Sequence, residues 1–311
     1  MENMVVNKDF WNGKKVLITG HTGFKGTWLS LILTSLNADV EGYALEPNTD
    51  PSFFAAIQDK LNLQSNIGDI KNYQHLKKVI DKANPEIIIH MAAQSLVRLS
   101  YDDPVETYAT NVLGLVNVLN IAKNCKKLKA LLNVTSDKCY QNNEWLWGYR
   151  ESDRLGGHDP YSNSKACAEL VTSSFRLSFF DKLNIGLASA RAGNVIGGGD
   201  WSQDRLIPDF ISAQQKKTGL SIRSPKAKRP WQHVIEPIFG YMNLCEKLYQ
   251  EPKKYSEAWN FGPNDTEMVD VETVIKEMQN NADQEVNVTF NKDKSKHEAS
   301  LLKLDVSKAK S

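Results

Sequence analysis

Along the first two thirds of the chain, short apolar runs alternate with stretches whose apolar positions recur at helical spacing. Lys14-Lys15-Val16-Leu17-Ile18-Thr19-Gly20 reads as a strand running into a glycine, and the apolar stretch Trp28 to Leu36 reads as the helix that follows. A second strand is expected at Asp39 to Leu45, a third short element closes at Gly68-Asp69-Ile70, and Pro85 to Ala93 is an apolar run ending in small residues. Val112, Leu115, Val116, Leu119 and Ala122 recur at helical spacing, which predicts a helix over Thr107 to Cys125. Leu128 to Val134 is the fifth strand, a helix runs past Lys165 to about Phe180, and Ile185 to Ala192 is the sixth strand. Strands alternating with helices predict an α/β fold, a Rossmann-type doubly wound parallel sheet.

After Ala192 the pattern changes. Gly193-Asn194-Val195-Ile196-Gly197-Gly198-Gly199-Asp200-Trp201 is glycine-rich and not amphipathic, and the clean alternation ends. The expectation is a first domain over 1–192 and a smaller mixed α/β lobe over 193–311. Helices are expected around Ile207 to Lys217 and Pro237 to Tyr249, and the part around 230–262 is expected to pack back on the first domain.

Composition narrows the class. In 311 residues, 38 Lys and Arg stand against 37 Asp and Glu, so no global field draws in nucleic acid or a membrane surface, and an anionic ligand must be held by local charges. No run of 18 apolar residues is present and the first residues carry no apolar signal core, so a cytoplasmic protein is expected. Cys125, Cys139, Cys167 and Cys245 show no Cys-x-x-Cys spacing and read as reduced, without a metal.

Candidate chemistry gathers at two places. In Gly20-His21-Thr22-Gly23-Phe24-Lys25-Gly26, a strand, three glycines and a helix follow in the order that lets backbone N–H groups approach a pyrophosphate. The spacing is Gly-x-x-Gly-x-x-Gly, and a tight turn without a ligand would look alike. Glu41 lies inside the second strand and Glu46 just past it, so the acid that would hold an adenosine ribose is ambiguous; no Arg lies between Asp39 and Asn66, which favours NAD over NADP. The other place is Asn133 to Lys165. Tyr161 and Lys165, four apart, share one helix face, where an ammonium beside a phenol would depress the phenol pKa, and Ser136 could hold an alcohol for it. Taken alone, Tyr-x-x-x-Lys also suits a surface helix. The long Gln141 to Pro160 connection, with Trp145, Trp147, Tyr149, Arg150 and Glu151, reads equally as a pocket wall or a packed flap, and the basic run Arg223 to Arg229 as a diphosphate site or a solvated surface.

Together, the glycine turn, Asp69-Ile70, Ala92-Ala93, Asn111, Ser136, Tyr161 and Lys165 resemble the extended short-chain dehydrogenase/reductases that act on nucleotide sugars. The resemblance runs from about Lys14 to the last residue. Thr135-Ser136-Asp137-Lys138-Cys139-Tyr140, Trp147-Gly148-Tyr149-Arg150-Glu151 and Arg229-Pro230-Trp231-Gln232-His233 narrow it to the 4,6-dehydratases of that family. It implies an NAD-dependent hydro-lyase of deoxysugar (O-antigen type) biosynthesis, with CDP-glucose or a related nucleotide sugar as substrate. By the same resemblance Tyr161 is the base at O4, Lys165 tunes it and holds the nicotinamide ribose, Ser136 bonds O4, Asp137 is the acid for the C6 hydroxyl and Lys138 the base at C5. Lys138 departs from the Glu of the dTDP-glucose enzymes, and an ion pair with Asp137 or with the substrate diphosphate is its other reading. Gly20, Thr22, Gly23, Phe24, Lys25, Gly26, Asp69, Ile70, Ala92, Ala93, Gln94 and Asn111 are implied as cofactor contacts, and Asn194, Arg205, Arg229 and His297 as substrate contacts. The resemblance further implies a homodimer, or a homotetramer, built through the helices of Asn111 and Lys165, and a second lobe that continues beyond Ser311. A 4-epimerase would need Ser136, Tyr161 and Lys165 without an acid beside Ser136; a non-catalytic NAD-binding scaffold would need none of them.

Overall fold

The computed structural model describes residues 6–264, 268–282, 284–290 and 301–311. Seven parallel strands form one sheet: β1 (Lys15–Thr19), β2 (Asp39–Ala44), β3 (Leu63–Ile67), β4 (Ile87–His90), β5 (Ala130–Val134), β6 (Gly186–Ala192) and β7 (Ala258–Phe261). Their order is β7-β6-β5-β4-β1-β2-β3. The central strands β4, β5 and β6 are buried along their whole length, as parallel strands covered on both faces must be, whereas the edge strand β3 is polar and largely exposed.

Helices cover both faces. On one, α1 (Phe24–Ser35) and, later in the chain, α6 (Ile235–Gln250) pack Leu29, Leu33, Ile238 and Met242 against Val16, Ile18, Ile87, Ile89 and Leu132. On the other, α2 (Tyr73–Ala83), the helical stretch α3 over residues 104–122 and α4 (Pro160–Phe175) cover Leu17, Ile88, Leu131 and Leu187. A π-helical segment, Ala109–Gly114, interrupts α3, and a second, Arg176–Phe180, prolongs α4.

Several boundaries differ from the sequence expectation. α1 begins at Phe24 rather than Trp28, because Gly26 is not part of the loop but lies in the first helical turn. β4 ends at His90, so the small residues Ala92 and Ala93 form a loop beyond it. β7, which the sequence pattern does not mark as a strand, pairs with β6 from Ala258↔Ser189 to Phe261↔Ala192. Residues 235–261 thus supply one helix and one strand of the large sheet layer.

The rest of the second part is smaller. α5 (Leu206–Lys216), α7 (Val271–Asn280) and the short parallel pair Leu220–Ile222 with Val288–Phe290 close over a core of Phe210, Ala213, Ile222, Ile275 and Val286. A further cluster joins Leu302, Leu304 and Val306 to Cys139, Tyr140 and Tyr149.

Candidate active site

The sheet order reverses between β1 and β4, and a crevice at the carboxyl ends of the strands is the expected outcome there. A cleft of about 1860 Å³ opens at that point and continues into the second lobe. A single small-molecule pocket is usually about 300–1,000 Å³, so two ligands can lie end to end.

Its first wall is the turn after β1. Gly20 has φ +80°, and a Cβ on it would stand 2.7 Å from the Ala92 nitrogen; a Cβ on Gly26 would stand 2.1 Å from the Gly20 oxygen. Neither position tolerates a side chain, and the turn lies flat against the loop after β4. α1 starts on Gly23 with no side-chain cap, which leaves its first-turn N–H groups available to an anion. Gly20, Thr22, Gly23, Phe24, Lys25 and Gly26 all line the cleft. Burial, then the Arg205 charge, pushes the Lys25 ammonium down to about 8. Of the two acids considered for the ribose, Glu46 faces the cleft, whereas Glu41 accepts a hydrogen bond from Asn66 Nδ2 at 3.1 Å.

Asp69, Ile70, Ala92, Ala93 and Gln94 also line the cleft. Asn111 stands behind this wall: its Oδ1 accepts from the Gln94 backbone at 2.8 Å, and its Nδ2 donates to Gln94 O at 3.0 Å and Ser164 Oγ at 2.9 Å. Its buried amide therefore fixes the Gln94 loop against α4 and does not line the cleft.

The end of β5 supplies the centre. Ser136 opens a single 3-10 turn, Asp137–Cys139; its Oγ accepts from Lys138 N at 3.2 Å and donates to Asp137 Oδ1 at 3.0 Å. Opposite, Asp159 caps α4 by accepting from Ser162 N at 2.9 Å and Ser162 Oγ at 2.6 Å, with Pro160 at the first helical position. That cap sets the turn carrying Tyr161, whose phenol lies close enough to Ser136 for Ser136 to lower its pKa. Tyr161 and Lys165 are both buried, and both line the cleft with Ser136, Asp137 and Lys138. Lys138 makes no ion pair with Asp137 among the described residues.

The electrostatics differ from the expectation. Burial, partly opposed by Ser136, pushes Tyr161 up to about 12, and burial pushes Lys165 down to about 8 against the pull of Glu169. In a low-dielectric site each charged form loses its hydration, and this outweighs the mutual help that the four-residue spacing suggests.

On the second lobe, Asn194, Arg205 and Arg229 line the cleft. Arg205 pairs with Asp200 at 2.8 Å, and Arg229 is buried on a two-residue strand, Lys228–Arg229. The basic run divides: Arg223 and Arg229 face the cleft, whereas Lys226 pairs with Glu272 at 2.8 Å. From the long connection, Gln141, Asn142, Asn143 and Gly156-Gly157-His158 form wall, while Trp145 and Trp147 point away from it. His297 lies outside the described residues. Sequence reasoning missed Asp159 and Arg98. The Asp-Pro pair before Tyr161 is a readable cap signal; nothing local marks Arg98, which pairs with Asp204 of the second lobe at 3.1 Å.

Known proteins resemble this chain throughout its length. A CDP-glucose 4,6-dehydratase of Salmonella typhimurium is 51% identical over 310 residues, covering 98% of this chain and 86% of that protein. The human dTDP-D-glucose 4,6-dehydratase is 27% identical over 81% of this chain and 69% of its own length. Among solved structures, DesIV of Streptomyces venezuelae, a dTDP-glucose 4,6-dehydratase with NAD and TYD bound, superposes with a TM-score of 0.79 at 21% identity, covering 94% of this chain and 88% of that one, a likeness of fold. The sequence model of the GDP-mannose 4,6 dehydratase family matches residues 17–311. The chain belongs to the GDP-mannose 4,6 dehydratase family, one of the extended short-chain dehydrogenase/reductases.

Proposed function

We propose that this chain is an NAD-dependent CDP-glucose 4,6-dehydratase, converting CDP-glucose to CDP-4-keto-6-deoxyglucose and water. The observation that carries the reading is the placement of a carboxyl and an amine, Asp137 and Lys138, in one cleft with Ser136, Tyr161 and Lys165. Oxidation at C4 alone has no use for that extra pair. The 51% identity to the Salmonella enzyme supports the cytidine nucleotide.

The turn at Gly20 to Gly26 fits a dinucleotide, because a Cβ at Gly20 or Gly26 would fill the cradle and the α1 start offers uncapped N–H groups. Lys25 suits its pyrophosphate and Glu46 its adenosine ribose. NAD held there would supply the acceptor for the C4 hydride and the donor that returns it at C6. Tyr161 takes the O4 proton while Ser136 Oγ holds O4, and Lys165 stabilises the phenolate. With a ketone at C4, the C5 proton is acidified; Lys138 removes it as Asp137 delivers a proton to the departing C6 oxygen, water leaves across C5 and C6, and Lys138 returns its proton to C5 as the hydride comes back to C6. Arg229, Arg205 and Asn194 hold the diphosphate and its sugars.

The two-lobe division at residue 192, a cytoplasmic setting and a homodimer belong to the same reading. Leu113, Leu170 and Leu177 are each more than half exposed on the α3 and α4 segments, which suits a copy of the chain packed there, with a tetramer as the alternative. Among the described residues no helix is long and apolar enough to cross a membrane.

The test is incubation with CDP-, dTDP-, UDP- and GDP-glucose, followed by the alkaline absorbance of a 4-keto-6-deoxy sugar. Product from CDP-glucose at the highest kcat/KM is expected. Epimerised sugar without loss of water would overturn the reading.

A further inference from the structure

Lys165 shares its helix face with a third residue. Glu169 lies one turn further along α4, wholly within the protein, and Thr135 just past β5 with Ser189 and Arg191 of β6 converge on its carboxylate. Thr135 Oγ1 donates to Oε1; Ser189 Oγ donates to Oε2 at 2.6 Å, and Arg191 Nη2 does so at 2.8 Å. Thr135 immediately precedes Ser136, so this carboxylate ties the end of β5 to the helix that carries Tyr161. Arg191 extends the connection: its guanidinium stacks over the Tyr140 ring at 4.9 Å and donates through Nη1 to Tyr140 OH at 2.8 Å and Glu151 O at 3.0 Å.

We propose that Glu169 is a positioning residue that keeps Lys165 protonated and holds the Ser136 strand end in register with Tyr161. The inference rests on the dehydratase reading for the part that Lys165 plays in turnover.

Charge balance gives the reason. Lys165 faces Glu169 on its own helix, Cys139 from the 3-10 turn, His90 from the end of β4 and Lys25 from α1. Burial holds the Cys139 thiol well above its usual range and the His90 imidazole down at about 3, so both are neutral near pH 7, and Lys25 repels. Glu169 is the anion left to oppose burial. Burial would raise its carboxyl, but the Arg191 charge on β6 and the hydrogen bonds from Arg191, Ser189 and Thr135 hold it below the usual range. Take that anion away and two buried cations, Lys165 and Arg191, remain. A guanidinium does not give up its proton, so the lysine does. The site would then lose its ammonium at a pH where the native protein keeps it.

The experiment compares the native protein with Glu169→Gln and Glu169→Asp. The Lys165 ammonium is followed by 15N NMR of Lys-labelled protein, its resonance assigned by loss in Lys165→Met. In Glu169→Gln the titration midpoint is expected about 1 pH unit below the native one, with the alkaline limb of kcat moving by the same amount. Glu169→Asp should recover part of both shifts. Unchanged midpoints overturn the inference, as does a fall in kcat that is uniform across pH. Glu169→Gln/Arg191→Met removes both charges of the pair, so the unbalanced cation goes with the anion and the midpoint is expected to return toward the native one; a midpoint still about 1 pH unit low in this variant would overturn the charge balance. The NMR readout needs no turnover, so failure of the dehydratase reading, seen as native protein inert toward CDP-glucose, remains distinguishable.

Discussion

Ser136 donates its hydroxyl proton to Asp137 Oδ1 at 3.0 Å, while Asp137 Oδ2 has no hydrogen-bond partner among the described residues and lies beside Gly193. One oxygen orients the carboxyl, and the other is the one that the proposed acid role would use. Asp137→Asn keeps the shape and the Ser136 acceptor but cannot deliver that proton. Loss of the C6 oxygen is expected to slow by about 10²–10⁴, while exchange of the C5 proton continues. Rapid quench with mass spectrometry, in deuterated water, separates the two events. Product release at the native rate would remove Asp137 from the acid role.

Lys138 sits on the same turn. Lys138→Met removes the amine and leaves a side chain of similar length, so C4 oxidation should survive and deuterium should cease to enter C5. Dehydration is expected to fall by about 10²–10⁴. Full deuterium incorporation by this variant would show that another group is the C5 base.

Lys25 gives cofactor binding a pH dependence. Its pKa is about 8 in the folded protein against the ordinary 10.5, so its contribution to stability is present above 10.5 and lost as the pH falls through 8. A pyrophosphate favours the ammonium, so binding above pH 8 takes up a proton, and NAD affinity should fall there by up to about tenfold per pH unit. Tryptophan fluorescence titrations from pH 7 to 9.5 measure this. Because Lys165 is also near 8, they are run in a Lys165→Met background, where Lys25→Ala should weaken binding at pH 7 and flatten the profile. A flat profile with Lys25 intact would place its ammonium away from the ligand.

Gly26→Ala tests the cradle. The added methyl would meet the Gly20 oxygen at 2.1 Å, a backbone contact that no rotamer relieves. A loss of about 1–3 kcal/mol in urea unfolding is expected, together with loss of NAD binding. Native affinity in the variant would mean that the turn does not hold the dinucleotide.

Much of this architecture is legible in the sequence because β1, β4 and β5 are runs of Val, Ile and Leu bounded by turn residues. β7 is not, since Ala258-Trp259-Asn260-Phe261 is short and mixed, and its place is decided by pairing with β6 across more than 60 residues of intervening chain. Gly26 misleads because a glycine in a first helical turn looks like loop. The Tyr161 and Lys165 spacing correctly puts both on one face, yet periodicity carries no information on depth, and depth decides their charge states. For the same reason Glu169 is silent in the sequence: its partner Arg191 is 22 residues away on a strand whose other residues are small and apolar or hydroxylic.

Tyr149 pairs with Leu304, and Tyr149 N donates to Lys303 O, so the turn of chain behind Asp137 and Lys138 is braced by a segment more than 150 residues downstream. During synthesis that brace emerges well after the strands β1 to β6. The sheet from β1 to β6, with the glycine turn after β1, can assemble while the ribosome is still at work, but the wall beside Asp137 and Lys138 cannot be completed until residues 301–306 are free to join it. A nascent chain therefore gains the turn around Gly20 before the cleft wall beside Asp137 and Lys138 is complete.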